Sequence, residues 1–207
     1  MEFLKSNLIV ILVSLIFIQG LSAQDYNTEL KAFQESYLLE ASGETQKAVD
    51  ALKKVYRGNS YEINVRLGWL SYQSGVFTES LAYYSKAISL KPLSIEAKFG
   101  YIYPASAMGN WDQVVNQYKK ILEVTPGNTV ANHRLGLIYY GREEYDKAYK
   151  LFEKVVNLFP FDHDALLMFG WTNLKMNKVR EAKILFQKAL LNTPGGSSAL
   201  EGLEQVF

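Results

Sequence analysis

The sequence predicts an all-α protein, built from about five tandem helix–turn–helix repeats and closed by one further helix. Three observations carry this reading. Pro92, Pro126, Pro160 and Pro194 stand 34 residues apart. Aromatic and basic positions keep the same interval: Tyr84, Tyr118, Phe152 and Phe186; Lys86, Lys120, Lys154 and Lys188; and Phe77, Trp111 and Tyr145, with Val179 fourth. Each interval holds two stretches with apolar residues at helical spacing, separated by a turn. A fixed period of this length marks a repeat architecture, in which a segment buries its apolar face only by stacking on its neighbours.

The stretch Thr129–Asp162 shows the pattern most fully. Asn128 and Asp146 stand at its helix starts as N-caps, where a side-chain oxygen accepts from unpaired first-turn amides. Pro160 follows the second helix, which cannot continue through it. Gly136 and Ala148 let the two helices approach closely. Leu135, Tyr139, Tyr145 and Phe152 fill the space between them.

Residues 1–23 fall outside the period. Lys5 and the amino terminus are positive, Leu8 to Ile18 is apolar except for Ser14, and Gly20-Leu21-Ser22-Ala23 offers small residues before Gln24 and Asp25. This pattern resembles a secretory signal peptide, cut after Ser22 or Ala23. The apolar run makes about 16 Å of helix, short for a bilayer core of roughly 30 Å. An uncleaved N-terminal anchor is the alternative. Either way, Lys5 ahead of the run favours export of the repeats behind it. Residues 24–28 read as a loose leader.

Repeat one, residues 29–60, is degenerate: Gly43, Ala48 and Val55 lie 32 residues before Gly75, Ser80 and Ala87, and no proline closes it. Repeat two, residues 61–94, carries Leu67-Gly68, a Ser74-Gly75 turn, Thr78 as N-cap of its second helix, and Ser80 where an alanine is usual. Repeat three, residues 95–128, departs most. Ile102 stands where its neighbours have Gly68 and Gly136, and Pro104 falls inside the first helix. A mid-helix proline removes a backbone bond at about 3 kcal/mol. Two readings compete: a kink that relieves crowding by Ile102, or a surface reshaped around a ligand, with a carbonyl near Gly100 freed for it. Repeats four (129–162) and five (163–196) come next, the latter with Met168, Phe169 and Leu174 apolar in its first helix. The tail, 197–207, reads as a capping helix. Ser198 and Glu201 form its capping box, and Leu200, Leu203 and Phe207 share one face.

These landmarks resemble the tetratricopeptide repeat (TPR) family. Leu67-Gly68, Ala87 and Pro92 fit its pattern; so do Leu135-Gly136, Tyr139, Ala148, Phe152 and Pro160, and Gly170, Ala182, Phe186, Ala189 and Pro194. The resemblance implies a right-handed α-solenoid with the first helix of each repeat on the concave side, and a protein or peptide partner. The fifth and ninth residues of each repeat lie on one helical face. They are Phe33 and Tyr37, Val65 and Trp69, Phe99 and Tyr103, His133 and Leu137, Leu167 and Trp171. Tyr72, Arg134 and Tyr140 extend those faces, beside Gln34, Arg66 and Lys175. The expected partner groove is therefore Phe33, Tyr37, Trp69, Tyr72, Phe99, Tyr103, His133, Arg134, Tyr140 and Trp171, with Trp69, Tyr103 and Trp171 foremost. Aromatic rings there give contact area at low entropic cost; the competing reading packs several of them between adjacent repeats. Some TPR proteins clamp a C-terminal carboxylate with Lys, Asn and Arg. Here Val65, Trp69 and Gly100 stand where Lys and Asn are needed, and only Arg134 fits.

Composition narrows the function classes. The net charge of +1 lacks the basic excess that replaces phosphate counterions, so nucleic acid is not an expected partner. With no cysteine in the chain, disulfides, thiolate metal sites and a cysteine nucleophile are excluded. His133 and His163 are the only histidines, and His163, between Asp162 and Asp164, reads as solvated. No glycine-rich phosphate loop, H-E-x-x-H or nucleophile elbow occurs. No catalytic residue, metal or cofactor is expected. The sequence thus points to an exported, non-enzymatic scaffold; the resemblance to exported family members implies that it works in the periplasm and holds a protein or peptide in envelope assembly or secretion. Membrane contact would come only through an uncleaved N-terminal segment. The rivals are that tethered form and a carbohydrate-binding or accessory subunit of an enzyme complex, with Trp69 and Trp171 as stacking platforms.

Overall fold

The computed structural model describes residues 25–206; the expected signal segment and Phe207 lie outside them. Among the described residues every regular element is a helix: α1 (25–41), α2 (Thr45–Lys53), α3 (Tyr61–Gln73), α4 (Phe77–Leu90), α5 (Ile95–Ala107), α6 (Trp111–Val124), α7 (Thr129–Gly141), α8 (Tyr145–Leu158), α9 (His163–Lys175), α10 (Val179–Asn192) and α11 (Ser197–Glu204). The all-α repeat class read from the 34-residue period is what folds. Residues 25–28, expected as a leader, instead form the first turn of α1. Arg57 ties them down, donating to both Asp25 carboxylate oxygens at 2.8 and 3.0 Å.

The helices gather into two compact units that divide at Met108–Gly109, inside repeat three. The N-terminal unit holds α1–α5. Its core joins Ala32 of α1, Ala48, Val49 and Leu52 of α2, and Ile63, Leu67 and Leu70 of α3. The C-terminal unit holds α6–α11, with Leu166 of α9, Ala182, Leu185, Phe186 and Ala189 of α10, and Ala199 of α11 in one cluster.

The turns inside repeats one, two, four and five have one construction. Gly43, Gly75, Glu143 and Asn177 take left-handed φ values of 81°, 74°, 60° and 59°. At the second of these, the Gly75 amide donates to the Tyr72 carbonyl at 3.0 Å and the Val76 amide to the Ser71 carbonyl at 2.9 Å. The other three repeat this pair of bonds, the closure that satisfies the last carbonyls of a helix. A next helix begins at once. Its N-caps, Val76, Glu144 and Lys178, make no side-chain cap bond. Thr78 and Asp146, expected as N-caps, are therefore second residues of α4 and α8, where Asp146 acts only by placing negative charge at the helix's positive end. Side-chain caps open the first helices instead. Ser60, Ser94, Asn128 and Asp162 each accept from the amide three residues on.

Hairpins close on aromatic rings. The Tyr84 ring of α4 lies against Gly68 of α3 and Gly100 of α5; a Cβ at Gly68 would sit 2.9 Å from it, and one at Gly100 closer still. Phe152 meets Gly136 in the same way, and Phe186 meets both Gly170 and Gly202. Tyr84 is 3% exposed, and burial pushes its phenol far above the usual range. Ser80, the substitute for alanine, adds a bond: its Oγ donates to the Gly68 carbonyl at 2.7 Å. Helix α5 runs unbroken past Pro104, which is buried with Ile102 and Ala105.

Helix α11 does cover the last repeat, but with a different face from the expected one. Ala199 and Gly202 are buried, and Leu203 and Val206 pack on the core cluster. Leu200 is 45% exposed. The close approach of Gly202 to the Phe186 ring sets this rotation, because any larger residue there would collide. The N-cap is Gly196, so Ser198 is the helix's second residue and forms no capping box.

Candidate partner-binding face

In the N-terminal unit, α1, α3 and α5 present their first-helix faces to one patch. On α1, Phe33, Tyr37 and Glu40 lie at helical spacing. Phe33 packs back on the core, its ring centroid 6.5 Å from that of Tyr37. Tyr37 is 55% exposed. Glu40 is the hub. One carboxylate oxygen accepts from the Trp69 indole N–H at 2.9 Å. The other lies 2.6 Å from an Arg66 guanidinium nitrogen. The Arg66 guanidinium in turn sits 3.8 Å below the Tyr37 ring, a cation–π contact. Burial alone would raise the Glu40 pKa, but hydrogen bonds from Arg66 and Trp69 and the Arg66 charge outweigh it and hold the carboxylate below its usual range.

Three further rings meet beside this pair. Trp69 lies 5.9 Å from Tyr72 and 6.3 Å from Tyr103, and Tyr72 lies 5.5 Å from Tyr103. Tyr72 also touches Phe77, which starts α4. Tyr103 of α5 is 49% exposed, whereas Trp69 and Tyr72 are half-buried. Phe99, on the same helix, is half-buried as well.

The expected residues of the C-terminal unit are arranged differently. Trp171 packs edge-on to Phe186 at 5.1 Å and donates its indole N–H to Ser198 Oγ of α11 at 3.0 Å. It is half-buried and packs against the core cluster beneath the closing helix, much as Trp69 packs against the core of the N-terminal unit. His133 stands edge-on to Phe152 at 5.6 Å, and its Nε2 is enclosed without a hydrogen-bond partner. Burial pulls the imidazole below its ordinary value, with Arg134 adding to this and Asp164 and Asp162 opposing it. Tyr140 rests on Tyr145 at 5.5 Å, and Arg134 is exposed. Each of these rings pairs with a partner from its own repeat or from α11. Of the ten expected residues, Tyr37, Trp69, Tyr72 and Tyr103 are the ones the structure assembles into a continuous surface.

Glu40, which organises that surface, was missed in the sequence. The signal was there: it is the twelfth residue of repeat one, the register of Tyr72 in repeat two and Tyr140 in repeat four. A second repeated feature was also missed. Asn64, Lys98 and Asn132 recur at 34 residues, are buried, and donate to carbonyls of the loop before their own helix. They lock the connection between repeats rather than contribute to the face.

Tetratricopeptide repeat family models match residues 61–92, 130–162 and 164–195. This is a tetratricopeptide repeat protein. The three matches fall on repeats two, four and five, leaving aside the degenerate first and the divergent third. Among curated proteins, TPR repeat-containing protein YpiA of Bacillus subtilis is 27% identical over 171 residues, spanning 81% of this chain and 40% of that protein. The chain thus covers less than half the length of this relative. Among solved structures, a tetratricopeptide repeat protein from Parabacteroides merdae aligns with a TM-score of 0.74 and 19% identity, over 87% of this chain and 72% of that one. YrrB, described as a TPR protein with an unusual peptide-binding site, aligns with a TM-score of 0.69 and 16% identity, over 85% and 92%. At these identities the structural likeness speaks for the TPR fold.

Proposed function

We propose that this TPR protein is an exported, non-enzymatic scaffold that holds a protein or peptide partner on the first-helix face of its N-terminal unit. The observation that carries the reading is the Tyr37–Trp69–Tyr72–Tyr103 surface, held by the pairing of half-buried Glu40 with buried Arg66. A buried ion pair is seldom a net source of stability, but it fixes geometry. Here it fixes rings that remain partly open to solvent. Rigid aromatic area of this kind is how interfaces concentrate binding energy. That YrrB is described as having a peptide-binding site supports the same class of partner. The N-terminal pattern of Lys5, the apolar run and Gly20-Leu21-Ser22-Ala23 supports export; the periplasmic setting and the role in envelope assembly or secretion rest on analogy with exported TPR proteins.

Two measurements test this. Capture from the native envelope, read by mass spectrometry, should recover a partner with the natural chain and lose it with Tyr37→Ala and Tyr103→Ala combined, at unchanged helical content. Undiminished capture by that variant, or turnover of a small molecule by the purified chain, would overturn the proposal. Sequencing the mature N-terminus should give Ala23 or Gln24. An intact Met1 would favour the tethered form.

A further inference from the structure

A cleft of about 280 Å³ opens in the C-terminal unit between α6 and the turn that joins α7 to α8. Helix α6 supplies Asp112, Asn116 and Lys119, which share one helical face. The end of α7 adds Tyr139 and Arg142, and α8 brings Lys147. Three cations thus meet two carboxylates. Arg142 pairs with Asp112 at 3.1 Å, and Lys147 pairs with Glu144. Lys119 has no carboxylate partner among the described residues. Tyr139 is 6% exposed, yet its hydroxyl has no hydrogen-bond partner among the described residues. The Lys147 ammonium lies 5.1 Å from the centre of the Tyr139 ring. The Asp112 side chain is 96% exposed, so its hold on Arg142 is weak and its place is open to a better-seated anion.

Packing does not require these cations. One repeat on, the 34-residue register puts Glu153, Met176 and Glu181 where this cleft has Lys119, Arg142 and Lys147. One repeat back, it puts Ser85, Met108 and Gln113 there. The same framework therefore folds with acidic or neutral residues at these positions.

The geometry points to a carboxylate-binding site, filled by an acidic side chain or the C-terminal end of a protein partner. The unpaired Lys119 calls for one negative charge. A carboxylate carries one, whereas a phosphate group carries about −1.5 to −2 at neutral pH. A carboxylate accepts from several donors at once, and the Arg142 fork and the Tyr139 hydroxyl offer them beside Lys119. Drug-sized ligands occupy roughly 300–1,000 Å³. At about 280 Å³ the cleft takes one group of a larger partner instead. It shares no residue with the aromatic face of α1, α3 and α5, so it stands whether or not that face binds anything.

The test is an NMR titration of the isotope-labelled mature chain. The probes are a capped Gly-Ser decamer carrying a central Glu, the same peptide with Gln in that place, the Gln peptide with a free C-terminus, and inorganic phosphate. The Glu peptide, the Gln peptide with a free C-terminus, or both should shift the amides of Asn116, Lys119, Arg142 and Lys147 saturably. Those two arms tell a side chain from a chain end. The capped Gln peptide should shift none of them. Lys119→Gln should weaken binding roughly tenfold or more, and raising salt from about 50 to about 500 mM should weaken it as well. Lys188→Gln, which removes the same charge from an exposed site on α10, should change nothing. Far-UV circular dichroism should be the same for both variants. Phosphate bound more tightly than either carboxylate overturns the inference. So does binding that survives Lys119→Gln, a response to the capped Gln peptide, or the lack of a saturable shift with either carboxylate.

Discussion

Gly136 and Phe152 show how much one side chain decides in a repeat. Phe152 is fully buried, and its ring fills the space a Cβ on Gly136 would need, 2.8 Å away. Phe152→Ala should cost about 3–5 kcal/mol as a core truncation. Gly136→Ala should cost about 1–3 kcal/mol as overpacking, since a ring held on all sides cannot retreat. Urea denaturation followed by circular dichroism measures both. Glu143 offers the opposite case. It holds φ at 60° in the turn where three other repeats use glycine, at 43, 75 and 109. A left-handed non-glycine residue costs about 1 kcal/mol or more, so Glu143→Gly should stabilise the protein by roughly 1 kcal/mol and raise Tm by about 2–4 °C. An unchanged or lower Tm would show that Glu143 earns its place by some other contact.

Residue roles were unevenly legible in the sequence. Tyr84, Phe152 and Phe186, and the glycines at 68, 136 and 170, repeat visibly because packing at the hairpin tolerates few alternatives. Glu40 did not repeat, because the equivalent positions hold other residues. Its meaning comes from Arg66 and Trp69 on another helix, which one-dimensional spacing cannot place beside it. Trp171 differs from Trp69 in a way that spacing also cannot show. Its position matches that of Trp69, but only the fold shows Ser198 and α11 covering it.

At the scale of elements, helix identity followed from the period, whereas helix starts did not. Thr78 and Asp146 looked like caps because their side chains suit the role. The left-handed turn ends one helix and places Val76 and Glu144, not Thr78 and Asp146, at the N-cap of the next. Helix α11 gives the prediction proper to this scale. Ending the chain at Gly196 would remove Ala199, Gly202 and Leu203 from Phe186 and deprive Trp171 of its hydrogen bond. The truncated protein should show red-shifted tryptophan emission and a lowered unfolding midpoint. Emission identical to the full chain would mean that α11 does not shield Trp171 in solution.

For the whole molecule, the distribution of shifted groups predicts an order of events in acid. Among the described residues, the carboxylates held below their usual range are Asp25 by Arg57, Glu40 by Arg66 and Trp69 despite burial, Glu44 by Lys47, and Glu62 by its own backbone amide and Lys91. All lie in the N-terminal unit. A lowered carboxylate stabilises the fold above its unfolded pKa and loses that contribution as pH falls through the folded value, hence below about pH 4. His133, in the C-terminal unit, is lowered chiefly by burial. The unfolded state therefore takes up its proton first, and stability begins to fall below about pH 6.5. The C-terminal unit should begin to weaken as pH falls below about 6.5, ahead of the N-terminal unit. Hydrogen exchange at stepped pH, resolved by unit, measures this order. His133→Gln should abolish the early phase; an early phase that persists in that variant would refute the assignment.

The Tyr84 ring, pressed between glycines of two successive first helices, also acts as a shim. Its thickness sets how far one layer stands from the next. Losing the hydroxyl in Tyr84→Phe leaves that gauge intact, whereas Tyr84→Leu or Tyr84→Trp changes it. The tolerance of the proposed binding surface is thus machined at a residue sealed from solvent.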